Sequence, residues 1–340
     1  MTPEGGETMS IMRARSVPGL ASLIAGSLLV VTMGAVQARA QTTVHVLVSF
    51  DESAGQNTEG MAVDRVGGIY VSVSPLGDLW RIPPASTRPQ PFGHVDGIVP
   101  GRDFGMLGLA IDVFGNVYAA VQSANPDAAG VWRFDRGSGN ATRLPGTESI
   151  ALPNGLAFDK QENLYVTDSS TGAIWRIPWG GSAQVWLQDP MLTGDGSLGL
   201  FLGANGIAYR HGVFTVTNTE RRTVLQVPKI GGQPGPIRLL TNLPPGDNPD
   251  GVAMDVHGDA FIAMNLQNAI EEVHPDGSSD VVASGDPLDF PSSVAFGTAR
   301  GGRTKLFGVN FSIGELFGLP PGSGPGVFWL DAGVPGAPVP

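Results

Sequence analysis

No cysteine occurs among the 340 residues. That removes disulfides, thiolate metal sites and cysteine nucleophiles, and leaves stability to the core of a long chain. Charge is also sparse, at 15% of residues, and acids outnumber bases 31 to 20 for a formal net charge of −11. The balance argues against nucleic acid or an anionic membrane as partner. No long segment shows the 3.6-residue apolar period of an amphipathic helix. Neither H-E-x-x-H nor G-x-S-x-G is present, and "GDGSLG" (194–199) follows no strand-to-helix pattern, so a phosphate loop is rejected.

What the chain has is glycine and proline, 49 and 28 residues, set among β-branched and aromatic ones. This composition favours strands and turns. The first 40 residues stand apart. Arg13 and Arg15 precede an apolar run of 17 residues, Leu20 to Val36, and "ARA" ends at Ala40. The order is that of a secretory signal peptide, with an uncleaved anchor as the alternative. Residues 1–40 are therefore read as a leader, 41–333 as one domain and 334–340 as a flexible tail. The expected location is periplasmic or secreted, and the expected state a monomer.

A repeat organises the domain. "GMAVDRVGGIYVSV…GDLWRIP" begins at Gly60, "GLAIDVFGNVYAAV…AGVWRFD" at Gly108, and "GLAFDKQENLYVTD…GAIWRIP" at Gly155. Further copies begin at Gly206 and Gly251, and a degenerate one, ending in "GELFGLP", at Ser293. The spacings are 48, 47, 51, 45 and 42 residues. This period, with four short strands A to D per unit, predicts an all-β fold, a six-bladed β-propeller of four-stranded antiparallel blades. Trp80, Trp132 and Trp175 recur on strand C and read as packing between blades. The last blade is closed either by 326–333 or by 43–50.

Strand A is innermost in such a fold, so the residues just before the repeat glycine converge at one mouth of the central channel. They are Glu59, Leu107, Asn154, Asn205, Asp250 and Ser292. Any one Asn-Gly or Asp-Gly alone reads as a turn. Four oxygen-bearing side chains at one register, two of them carboxylates, point instead to a hard cation. Calcium fits mixed oxygen ligands best, with zinc, manganese and magnesium as alternatives.

The stretches "TEGMAVD", "LPNGLAFD", "GANGIAYR" and "NPDGVAMDVHGDAFIAM" resemble the senescence marker protein/gluconolactonase/luciferin-regenerating enzyme family. The wider group includes diisopropyl fluorophosphatase and the paraoxonases. The resemblance runs from about Glu59 to Gly318 and is strongest in blades 3 to 5. It implies that Glu59, Asn154, Asn205 and Asp250 hold a divalent cation, and that the substrate is a lactone or a related ester. Several sugar lactonases of this family carry an arginine two positions before the first asparagine ligand; here that position is Leu152.

With a cation polarising the carbonyl, Asp250 is the expected general base, or alternatively a nucleophile. The pocket wall is expected from the D–A and B–C loops on the same face. Phe104, Met106 and Phe201 are read as an apolar rim. Asp168, Asn218 and Asn265, which end B strands, and Ser292 are further pocket candidates. Of the histidines, His94 alone falls in a loop on that face. The competing function is a non-enzymatic binding propeller of the NHL type, which would not need the oxygen ring; an organophosphate hydrolase is a third.

Overall fold

The computed structural model describes residues 41–338. Six antiparallel sheets follow one another along the chain; among the described residues the only helices are short 3-10 turns. Blade 3 shows the unit: strands Pro153–Phe158, Leu164–Asp168, Ala173–Ile177 and Gln184–Gln188 pair in that order from the inside outward. Blade 4 adds a two-residue strand, Gln233–Pro234, to its long third strand Thr223–Ile230. The six inner strands, Thr58–Val63, Gly105–Ile111, Pro153–Phe158, Ala204–Arg210, Pro249–Met254 and Pro291–Phe296, contact one another in a closed cycle. The protein is a six-bladed β-propeller.

Local chemistry explains the unit. An aspartate closes strand A in four blades, and its carboxylate caps the turn to strand B. In blade 3, Asp159 Oδ1 accepts the N–H groups of Gln161 at 2.8 Å and Asn163 at 3.0 Å. Strands B and C then alternate side chains toward the two neighbouring blades. The result is six apolar clusters, one in each seam between blades. Trp80, Trp132 and Trp175 pack, half-buried, against three of these seams.

The repeat glycine has a steric cause. A Cβ at Gly108 would lie 2.5 Å from the Asn154 carbonyl oxygen, and one at Gly251 would lie 2.7 Å from that of Ser292. Gly60, Gly155 and Gly206 meet the carbonyls of Leu107, Asn205 and Asp250 still more closely. At this register each inner strand leans on the next blade's backbone, and only glycine leaves room.

The ring closes through the N-terminal segment. In blade 6 the order from inside is Pro291–Phe296, Lys305–Asn310, Gly326–Asp331 and finally His45–Ser49. The segment 326–331 is thus strand C, and "GELF", which the repeat had aligned as strand C, is a 3-10 turn, Gly314–Phe317. The expectation of a loose tail needs correcting as far as Ala337. Gly336 bridges Asp255, and the Ala337 N–H donates to the Met254 carbonyl at 2.8 Å. The leader read over residues 1–40 lies outside the described residues.

Candidate metal centre and active site

The residue before the repeat glycine is aimed by a β-bulge. In blade 3 the ladder pairs Pro153 with Asp168 and then Leu156 with Val166, so Asn154 and Gly155 together face Thr167. Blades 1, 2, 4 and 5 carry the same irregularity at the same place, and blade 6 a shorter one. A bulge frees one residue from the pleat and turns its side chain. The lost ladder bond is replaced by a hydroxyl: Gly155 N–H donates to Thr167 Oγ1 at 2.8 Å, and that hydroxyl donates to the Asn205 carbonyl of the next blade at 2.5 Å. Ser72 and Thr217 make the corresponding inter-blade bonds to Leu107 and Asp250. Ser292 reaches the Glu59 carbonyl at 2.7 Å, joining the last blade to the first.

Four bulged side chains converge on the channel axis: Glu59, Asn154, Asn205 and Asp250, all buried, line one cavity. A second row of groups, two residues further along strand B than the hydroxyls above, sets their orientation. Asn154 Nδ2 donates to Ser169 Oγ at 3.2 Å, and Ser169 donates to the Ala204 carbonyl. Asn205 Nδ2 donates to Thr219 Oγ1 at 2.9 Å, and Thr219 donates to the Pro249 carbonyl. With the amide nitrogens so engaged, both amide oxygens are left for the axis. Asp250 Oδ2 accepts from Asn265 Nδ2 at 2.9 Å.

The electrostatics are unbalanced. Glu59 Oε2 is buried without any hydrogen-bond partner. Burial first, and the charge of Asp250 second, push the Glu59 carboxyl well above its ordinary range. Burial likewise raises Asp250, against the hydrogen bonds of the Asn265 and Asn205 amides. Two desolvated carboxylates with an orphaned oxygen, facing two amide oxygens, form an incomplete set that a divalent cation would complete. The donor set is all oxygen and suits calcium better than zinc.

Above this ring opens a cavity of about 580 Å³, counting the space open to solvent. Phe104 and Leu107 of blade 2 and Leu152 before blade 3 form one side. The D–A loop into blade 4 contributes Leu198, Leu200 and Leu202. Phe290 leads into blade 6, and Phe311, Ile313 and Phe317 come from its B–C connection. Phe290 and Phe317 stack, with ring centroids 5.4 Å apart and planes at 15°. Asn265 lies in this wall, with Thr219 and Asn248.

Several sequence-predicted pocket residues lie elsewhere. Met106 is fully buried in the seam between blades 1 and 2, because the pleat turns it away from the mouth while its neighbour Leu107 faces in. Phe201 is 61% exposed and outside the wall; the leucines on either side of it take that role. Asp168 is a loop anchor: its oxygens accept the N–H groups of Ala151 and Leu152, both at 3.1 Å. Asn218 is spent on the Met191 and Thr193 carbonyls, both at 3.0 Å. Ser292 lines the channel below the ring, not the apolar chamber. His94 ends the outermost strand of blade 1 and pairs with Asp78 at 2.7 Å.

Buried carboxylates pin the other loops of this face. Glu220 accepts the N–H of Gly196 at 2.7 Å and that of Leu198 at 3.3 Å. Asp289 takes the Ser312 hydroxyl at 2.6 Å and the Gly324 N–H at 2.9 Å. Asp103 takes the Val99 N–H at 2.9 Å and the Ser123 hydroxyl at 2.7 Å. A second group of metal-capable side chains, Asp259, Glu272 and His274, lies on blade 5, Glu272 on strand Ala269–Val273 and the other two on the turns beside it. Both nitrogens of His274 are engaged there, by Asp259 at 2.9 Å and Asp280 at 3.2 Å.

Residues 199–306 match the model of the SMP-30/Gluconolactonase/LRE-like region. No curated protein matches the chain. Among solved structures, a luciferin-regenerating enzyme is similar at 14% identity with a TM-score of 0.64, over 88% of this chain and 98% of that one. A gluconolactonase from Xanthomonas campestris is similar at 15% identity with a TM-score of 0.63, over 85% and 89%. Regucalcin from Agrobacterium tumefaciens, a calcium-binding protein, is similar at 17% identity with a TM-score of 0.62, over 87% and 95%.

Proposed function

From its SMP-30/gluconolactonase/LRE-like region, and the neighbours of the same kind that support this family, we propose that the chain is a cation-dependent hydrolase of the lactonase type. The observation that carries the reading is the oxygen ring, with Glu59 Oε2 orphaned and both asparagine oxygens left for the axis.

Glu59, Asn154, Asn205 and Asp250 would hold the cation, and calcium is the proposed one, in keeping with the calcium-binding neighbour. A cation bound there supplies a Lewis acid for the carbonyl oxygen of the substrate. The protein supplies the rest. The apolar chamber seats the substrate over the ring and limits the water that reaches it. Asn265 fixes the Asp250 carboxylate. Asp250 takes the proton of the attacking water as its oxygen bonds to the carbonyl carbon, and the proton passes to the departing ring oxygen as the C–O bond breaks. The product is the open hydroxy acid. We assign this activity to the periplasm or the exterior on the strength of the leader sequence, and expect a monomer.

The test combines calorimetric calcium titration with hydrolysis of aliphatic, aromatic and sugar lactones and paraoxon. Glu59→Gln is expected to weaken cation binding at least tenfold. Asp250→Ala is expected to abolish turnover. Wild-type turnover in Asp250→Ala sinks the mechanism, and the absence of any bound cation in wild type removes the site and favours a binding propeller.

A further inference from the structure

The chamber above the ring has a chemical bias of its own. Among the described residues its only charged lining groups are the two ring acids, Glu59 and Asp250, and no Lys, Arg or His lines it. An anionic substrate group would meet no basic side chain, and the charge of a divalent cation on the ring is already balanced by the two carboxylates. Most of its polar donors are already committed. Asn265 Nδ2 serves Asp250 and Pro291, Asn248 Nδ2 serves the Thr219 carbonyl, and the Thr219 hydroxyl serves Pro249. The backbone N–H of Leu152 is taken by Asp168. The wall therefore offers the many hydroxyl groups of a polyol few free partners, and most would be desolvated at a cost. What the wall does offer is apolar surface: Phe104, Leu152, Leu200, Phe290, Phe311 and Phe317. The loops that carry it are pinned by Glu220 and Asp289, so it is formed before anything binds.

We propose that the site selects neutral lactones or esters bearing an alkyl or aryl substituent, and rejects polyhydroxylated and anionic ones. The inference rests on the hydrolase reading for its chemistry and on the chamber alone for its selectivity.

The experiment has two arms on the calcium-loaded protein. The first measures kcat/KM for γ-lactones of increasing alkyl chain length, with glucono-δ-lactone alongside. The second measures binding of the matching alkyl lactams, which resist hydrolysis, by calorimetry. Expected is a rise of about fourfold in kcat/KM for each added methylene until the chamber is filled, with lactam affinity following the same slope. Leu200→Ser and Phe317→Ser are each expected to lower kcat/KM about tenfold more for the longest lactone than for the shortest. Leu200 is partly exposed, so its variant folds even if that at Phe317 does not. Equal or better turnover of glucono-δ-lactone overturns the inference and leaves the hydrolase standing. Alkyl lactam binding with no lactone hydrolysed upholds the selectivity and overturns the hydrolase. A flat chain-length profile in both arms overturns the inference.

Discussion

Asn265 ties Asp250 to the neighbouring blade. Its Nδ2 donates to Asp250 Oδ2 at 2.9 Å and to the Pro291 carbonyl of blade 6, also at 2.9 Å. The acid proposed as both ligand and base is thus fixed by a side chain that bridges two blades. Groups that orient ligating carboxylates typically matter 10- to 100-fold in metal affinity or activity. Asn265→Ala is expected to lower kcat by roughly that factor while circular dichroism stays native. A KM effect alone, with kcat intact, would show that Asn265 serves the substrate and not Asp250.

Removing the cation is expected to destabilise the fold, because the ring carboxylates then face each other desolvated. At free calcium 100-fold above its dissociation constant, binding contributes about 2.7 kcal/mol, which is a melting shift of several degrees in a domain of this size. Chelation should lower the melting temperature by that amount. Glu59→Gln should melt higher than wild type in chelator and respond less to added calcium. Identical calcium shifts in the two proteins would contradict the assignment of Glu59.

The close approach of neighbouring blades gives a purely structural prediction. Gly155→Ala places a methyl group against the Asn205 carbonyl and Gly206 Cα, so the strands must part where Asn154 and Asn205 are aimed. A loss of roughly 1–3 kcal/mol is expected, in the range of overpacked cores, together with weakened calcium binding. At Gly302 the nearest atom to an added Cβ is 3.7 Å away, so Gly302→Ala serves as a neutral control. Chemical denaturation of the two variants would separate close packing from a general loss of loop freedom.

The ring was legible in the sequence because six equivalent positions can be compared. Asn154 alone is a turn former; in register with Glu59, Asn205 and Asp250 it reads as a candidate ligand. The bulge that aims it was not legible, although the Gly after it marks the place. The chamber was harder. Met106 and Leu107 are adjacent and similar, and only the pleat decides which faces the mouth. Leu198, Leu200 and Leu202 alternate around Phe201, yet the size of Phe201 drew the reading to the wrong side chain. The aromatic wall of blade 6 was hidden because its repeat is degenerate. The 3-10 turn holding Phe317 imitates strand C, and the true strand C lies further on. The N-terminal closure follows from that displacement, since it leaves the outermost place of blade 6 to His45–Ser49.

Glu220 offers a test of the wall's preorganisation. Its carboxylate collects backbone N–H groups from the 194–200 loop, and Gly194 packs so closely that a Cβ there would touch it. Glu220→Gln replaces one acceptor oxygen with a donor and should loosen the segment carrying Leu198 and Leu200. The expected signature is a KM for an alkyl lactone raised about tenfold, kcat changed far less, and new proteolytic cleavage near residues 195–200. An unchanged KM with cleavage at that loop would show that the leucines are dispensable for binding.

Glu271 should give the protein a pH-dependent stability unrelated to the ring. It stands on strand C of blade 5 opposite Ile262, the register that holds Trp80, Trp132 and Trp175 in blades 1 to 3. A carboxyl therefore occupies an indole's place in a seam. Burial, with a further contribution from Asp247, pushes it up to about 7. Because the folded value lies above the unfolded one, the folded state binds the proton more tightly. The burden on folding is absent below the ordinary glutamate range, grows as pH rises from there, and levels off above about pH 7. Allowing for solvent screening, it is on the order of 2 kcal/mol at pH 8. Glu271→Gln keeps the shape and removes the charge. Its melting temperature should exceed that of wild type clearly at pH 8 and only slightly at pH 5, with calcium saturating in both. A gap that stays constant between those two pH values would mean that Glu271 is ionised at no cost and that the seam tolerates its charge.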